Sequence, residues 1–248
     1  AKSMLVRLSE MGPRYVVITG MQLASGTMTN VGDDRDHVLA NRQKMAEALG
    51  FPLERAVACQ QVHGTHVAVV TEKDAGKGIY SLEDAIPETD GMVTDCPQLP
   101  LLISFADCVP ILLADPKRGA IGAVHAGWRG SVGKILPQAL EVMEEAFGTD
   151  PRDVMAGIGP SIGPCCYEVS QEVADRAAAY PSCLKPHGTG HYLLDLWELN
   201  TLELMEAGVS REQIFRADCC TSCHRDRFFS YRAEKGKTGR LYGVIYKK

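Results

Sequence analysis

Along the 248-residue chain the hydrophobic positions follow two periods in turn. Over residues 38–49 the apolar side chains Val38, Leu39, Met45, Ala46 and Leu49 fall on one helical face, and Gly50 stands where a left-handed C-terminal cap is favoured. This spacing predicts an amphipathic helix. Residues 67–70, Leu101–Phe105, 109–114, 121–125 and 154–158 are short apolar runs bounded by turn residues, and they read as strands. From Val132 to Phe147 the period becomes helical again, with Gly148 closing the run. Further helices are predicted over 170–179, with Ser170 as N-cap, and over 195–207 ahead of Gly208. Strands and helices mix without regular βαβ alternation, and neither a repeat nor a linker interrupts residues 1–248. The expectation is one α+β domain containing an antiparallel pair.

Composition narrows the function classes. Hydrophobic residues at 45% and charged residues at 23% are ordinary for a globular chain, which sets disorder aside. A net charge of −5 speaks against a nucleic-acid binder, which needs a basic surface to release counterions. The charge is uneven: residues 225–248 hold eight Lys/Arg against two acids, a local +6 that leaves −11 for the rest. That tail reads as a solvated basic edge, with anion binding as the other reading. Nine cysteines, an odd number, and the absence of a secretory apolar stretch predict reduced thiols in the cytoplasm. No apolar run reaches the roughly 18 residues of a membrane span, so no membrane partner is expected.

Candidate chemistry concentrates between residues 106 and 130. Two apolar runs flank Asp115-Pro116-Lys117-Arg118-Gly119, a turn-forming segment, and predict a hairpin. If Ala114 faces Gly119, Cys108 lies opposite His125, about 5 Å away between Cβ atoms; if Ala114 faces Ala120, the two point to opposite faces. The first register is preferred. His125-Ala126-Gly127-Trp128-Arg129-Gly130 runs into the helix of Val132, so its backbone N–H groups and Arg129 are poised for an anion. The other reading of Arg129 is a surface arginine stacked near Trp128. Residues 157–168 form a second tight Gly/Pro loop, whose glycines mark a strained turn more readily than a phosphate cradle. His63 and His66 each read, alone, as ordinary polar strand-end residues. Cys220-Thr221-Ser222-Cys223-His224 has the spacing of c-type haem attachment, but lacks a haem-like continuation. A structural zinc there would need a second spaced pair, and Cys165 and Cys166 are adjacent instead.

Six motifs in order carry a resemblance: Gln61-Val62-His63-Gly64, Thr89-Asp90-Gly91-Met92-Val93-Thr94-Asp95, Ala106-Asp107-Cys108, His125-Ala126-Gly127-Trp128-Arg129-Gly130, Gly159-Pro160-Ser161-Ile162-Gly163-Pro164-Cys165-Cys166-Tyr167-Glu168-Val169, and Phe228-Phe229-Ser230-Tyr231-Arg232 with Thr238-Gly239-Arg240. Over about residues 30–248 the chain resembles the laccase-domain family, also described as polyphenol oxidoreductases, purine nucleoside phosphorylases or peptidoglycan-editing factors. The resemblance implies a four-layer α-β-β-α arrangement with mixed sheets and a zinc triad of His63, Cys108 and His125. Residues 18–32 depart from the family pattern, which usually has a Thr-Arg-x-Gly-Gly segment followed by Ser-Leu-Asn-x-Gly; only Asn30-Val31-Gly32 matches its end.

Two imidazoles and a thiolate suit Zn²⁺ and leave a fourth position open, which can activate water or polarise a substrate atom. The resemblance implies phosphorolysis of purine nucleosides, with adenosine deamination in the same site. Cys108, Asp107 and Arg129 are the catalytic candidates: Asp107 as proton carrier in deamination, Arg129 on the phosphate. Arg232 joins Arg129 as a substrate-binding candidate. Three alternatives remain at this level. A metal-free Cys108–His125 dyad would make a cysteine hydrolase acting on peptidoglycan precursors, for which His63 is the discriminator. Copper polyphenol oxidation would require many imidazoles, and the chain has seven histidines spread along it. A non-enzymatic binding module would have no need of an open metal site.

Overall fold

The computed structural model describes residues 15–19 and 35–247. Of the divergent segment 18–32, everything after Thr19 lies outside the described residues. In chain order the strands are β1 (Tyr15–Thr19), β2 (Val57–Ala58), β3 (Val67–Val69), β4 (Gly91–Thr94), β5 (Leu101–Phe105), β6 (Val109–Asp115), β7 (Ala120–Ala126), β8 (Met155–Ile158), β9 (Glu168–Ser170), β10 (Leu184–Pro186), β11 (His191–Leu194), β12 (Ile214–Arg216) and β13 (Leu241–Lys247). The helices are α1 (Arg35–Leu49), α2 (Trp128–Val132), α3 (Ile135–Phe147), α4 (Gln171–Arg176) and α5 (Leu196–Glu206).

Among the described residues three sheets form, with strand orders β1-β13-β5-β2, β12-β8-β6-β7-β4-β3 and β10-β11-β9. The first two are mixed: β2 runs parallel to β5, and β3 parallel to β4, among antiparallel neighbours. Side-chain alternation assigns each face. Leu102, Tyr242, Val244 and Tyr246 pack under Met45 and Ala46 of α1. Leu101, Ile103 and Ile245, on the opposite face, meet Leu112, Ala114, Ile121 and Ala123 of the six-stranded sheet. The remaining face of that sheet, with Ile111, Leu113 and Val124, is covered by Ile135, Leu136, Ala139 and Met143 of α3.

Three expectations need correction. The β6–β7 hairpin pairs Ala114 with Ile121 and Pro110 with His125, so neither register considered from the sequence is the observed one. The turn decides this: the Asp115 carboxylate accepts from the N–H groups of Lys117 at 2.8 Å and Arg118 at 3.1 Å, and Gly119 takes a φ of +71°. Pairing therefore starts at Asp115–Ala120. This register differs by two residues from the preferred one, which preserves the face, and Cys108 and His125 become diagonal rather than direct neighbours.

The helix expected from Val132 is broken in two. Lys134 adopts a left-handed φ of 68°, separating a short α2 from α3. Finally, the basic tail is not wholly a solvated edge. Leu241 to Tyr246 form a buried strand between β1 and β5, while the charge is carried by the segment before it and by Lys247, whose ammonium group donates to the carbonyls of Asp95 and Gly119.

Candidate active site

The connection from β5 to β6 passes from one large sheet to the other through a bend at residues 106–108. This crossing places Asp107 and Cys108 beside the end of β7, where His125 points inward and is 3% exposed. His63 arrives from the β2–β3 loop with φ +60°. The ligand atoms of His63, Cys108 and His125 all lie within 4.8 Å of one another. The two imidazoles meet edge-on, with centroids 4.9 Å apart. Gly127 permits the approach, because a Cβ there would stand 3.1 Å from His63 Cδ2 and 3.2 Å from Cys108 Sγ.

Sequence reasoning assigned no role to the residue that organises this cluster, Asp90. Its fully buried carboxylate accepts the backbone N–H groups of Val62, His63 and Gly64 at 3.1, 3.0 and 2.7 Å, and lies 2.8 Å from His125 Nδ1. An ionised carboxylate only accepts, so His125 carries its proton on Nδ1 and leaves Nε2 for a ligand. Burial works against the charge of Asp90, but the hydrogen bonds from His125 and Gly64 hold it below the ordinary carboxylate range. Gln61 anchors the same loop, exchanging hydrogen bonds with the Ser104 backbone at 2.7 and 2.8 Å. The signal in the sequence was the Thr89-Asp90-Gly91 motif, where a charged residue opens a buried strand.

Burial pushes the Cys108 thiol up, yet the neighbouring His125 and His63 more than reverse this and bring it down to about 6. His125 is opposed by burial and raised to about 9 by the Cys108 thiolate and Asp90. Without an ion, the contact favours thiolate on Cys108 and imidazolium on His125. A cation entering would displace the imidazolium proton.

Above these groups opens a cavity of about 460 Å³, a size suited to a small organic ligand. His63, Cys108 and His125 line it together with Asp107, Ile162, Tyr167, Arg232 and Arg240. Asp107, at φ 86°, accepts from Thr221 Oγ1 at 2.6 Å and from the Arg232 backbone N–H at 2.7 Å. The Arg232 guanidinium stacks on Tyr167 at 5.3 Å and donates to the Glu168 carbonyl at 2.9 Å. Burial, reinforced by the nearby Cys108 charge, raises the Tyr167 hydroxyl well above its usual range and keeps it protonated. Arg129 is exposed and stacks on Trp128 at 4.5 Å, outside the cavity lining, although its charge is felt at Tyr167. His66 turns away, with Nδ1 2.9 Å from Thr89 Oγ1.

The family model described as multi-copper polyphenol oxidoreductase laccase matches residues 20–248. The chain is 43% identical to purine nucleoside phosphorylase YlmD of Geobacillus stearothermophilus over 221 residues, 87% of this chain and 81% of that protein. It is 35% identical to adenosine deaminase RL5 from an unknown prokaryotic organism over 223 residues, 88% and 85% of the two chains. The crystal structure of YlmD from Geobacillus stearothermophilus superposes with a TM-score of 0.91, covering 95% of this chain and 93% of that one at 38% identity. Among the described residues, no helix is long and apolar enough to cross a membrane.

Proposed function

The chain belongs to the multi-copper polyphenol oxidoreductase laccase family, and within it we propose that this protein is a zinc-dependent purine nucleoside phosphorylase with adenosine deamination as a second activity of the same site. The observation that carries the reading is the cavity itself, with His63, Cys108 and His125 at one end and the guanidinium groups of Arg232 and Arg240 on its wall. Relatives named for both activities support it.

The donor set fits zinc: two imidazole nitrogens and a thiolate, with His125 oriented by Asp90 and a fourth position left open. Bound there, zinc would supply Lewis acidity and lower the pKa of water. Several coppers would need more imidazoles than this, since only one of the two candidate clusters among the described residues contains histidine.

In phosphorolysis a phosphate oxygen forms a bond to the ribose anomeric carbon as the bond to the base breaks. Arg232 and Arg129 hold the phosphate in our reading, Arg232 from the wall and Arg129 from the start of α2, where its charge reaches Tyr167. Asp107 is the proton carrier in deamination: each of its oxygens accepts one hydrogen bond and keeps a lone pair for the substrate. The substrate is a small molecule, with no part assigned to nucleic acid or membrane. A reducing, cytoplasmic setting, in which the nine cysteines stay out of disulfides and can serve as metal ligands, goes with this reading.

Paired assays test this. A charge-assisted contact contributes about 1.5–3 kcal/mol, so Arg232→Ala and Arg129→Ala each lower phosphorolysis by about ten- to a hundredfold. Adenosine deamination, which uses no phosphate, falls much less. Equal losses in both reactions for Arg129→Ala, with metal content unchanged, return that residue to a stacking role on Trp128. Failure of the metal-loaded protein to release base from any purine nucleoside in a phosphate-dependent way refutes the activity.

A Cys108–His125–Asp90 hydrolase is favoured by one observation, the thiolate–imidazolium pair oriented by a carboxylate. Such a dyad uses His63 only to help lower the Cys108 thiol, whereas the metal reading uses it as a third ligand. Peptidoglycan-precursor hydrolysis by metal-stripped protein would select it.

A further inference from the structure

A second convergence of ligand atoms lies apart from the His63–Cys108–His125 cluster. Cys165 and Cys166 sit in the loop after β8, and Cys220 and Cys223 in the loop after β12. Their four sulfurs lie within 4.8 Å of one another, with Cys223 Sγ 3.5 Å from that of Cys165 and 3.4 Å from that of Cys166. Zn–S bonds of about 2.3 Å in a tetrahedron place the sulfurs about 3.8 Å apart, whereas a disulfide requires about 2.05 Å. From this geometry we propose that Cys165, Cys166, Cys220 and Cys223 bind a structural zinc ion, separate from any ion at His63, Cys108 and His125.

The backbone assembles the site before any ion arrives. Ser161 and Cys220 form a parallel bridge, and the Thr221 N–H donates to the Ser161 carbonyl at 3.0 Å. The Gly163 N–H donates to Cys220 Sγ at 3.2 Å, a contact that favours thiolate. Trp197 of α5 covers Gly163 and donates through Nε1 to Ser161 Oγ at 2.6 Å, and a Cβ on Gly163 would come within 2.6 Å of its ring. Cys219 is excluded because it packs with Phe105, Phe228 and Leu241. Four protein thiolates close the coordination shell, so this ion is structural and not catalytic.

What it secures is the cavity wall. The first loop carries Ile162 and Tyr167, which line the cavity, and the second carries Thr221, which holds Asp107. An ion bound by four cysteines ties these two loops together directly.

The test uses Cys108→Ala, which removes a ligand from the other site and leaves these four cysteines intact. Purified under reducing conditions, it retains about one equivalent of zinc by elemental analysis, and its cobalt-substituted form shows the intense sulfur-to-cobalt charge transfer of a tetrathiolate centre. The unsubstituted protein falls from about two equivalents to about one in the Cys166→Ser/Cys223→Ser double variant. Absence of zinc and of the tetrathiolate spectrum from folded Cys108→Ala overturns the proposal, as does a disulfide within the four cysteines of freshly purified protein. These outcomes are independent of phosphorolysis, so the second site stands or falls apart from the activity.

Discussion

Cys108→Ala protein is expected to hold one equivalent of metal fewer than the unsubstituted chain and to lose phosphorolysis by about a thousandfold. The loss follows from the donor count. Two imidazoles without the thiolate bind zinc poorly, and the ion's Lewis acidity is worth several kcal/mol to a reaction that develops charge, at about 1.4 kcal/mol for each tenfold in rate. The fold survives, because Cys108 sits in a bend at the cavity and the two sheets bury their apolar faces without it. Elemental analysis, kcat/KM and thermal unfolding check the three parts separately. Equal metal content in the two proteins would show that Cys108 is not a ligand, whatever happened to the activity.

Asp90→Asn probes the same site from behind. The replacement is close in volume but gives up the charge that holds the His125 proton on Nδ1, and its amide nitrogen cannot accept from the N–H groups of Val62, His63 and Gly64. Groups that orient a metal-ligating histidine are worth about 10- to 100-fold in metal affinity, and that is the expected loss. An unsatisfied buried donor costs about 1–3 kcal/mol in addition, so the melting temperature falls as well. Saturating metal restores activity if Asp90 acts by positioning His125. Activity that stays low at full metal occupancy would give the carboxylate a part in the reaction itself.

The residue types at the candidate site were legible from sequence, but the face on which they meet was only preferred, since a register that separates Cys108 from His125 stayed open. Cys108 and His125 lie on one side of the hairpin only in registers of one parity, and the continuously buried runs of β6 and β7 carry no alternation that selects it. Asp90 was not readable in its role. The four hydrogen-bond partners of its carboxylate come from a loop 26 to 28 residues earlier and a strand end 35 residues later, and nothing local shows that they converge. Strand β13 was obscured differently, by charges that dominate the tail's composition while its apolar residues pair with β1 and β5, far away in the chain.

Local periodicity and turn chemistry, which act between neighbours in the chain, determined the helical stripe of α3, the strands around the hairpin, the Gly50 and Gly148 caps and the ligand types at the cavity. The two-residue shift of the hairpin is local too, set by the Asp115 carboxylate accepting from Lys117 and Arg118 within the turn, and what lies beyond neighbours in the chain was left to tertiary structure. It alone joined Cys165 and Cys166 to Cys220 and Cys223. Adjacent cysteines carry no metal spacing in one dimension, and it is the parallel pairing of β8 with β12, continued by the bridge between Ser161 and Cys220, that brings the two loops together so that their four sulfurs converge.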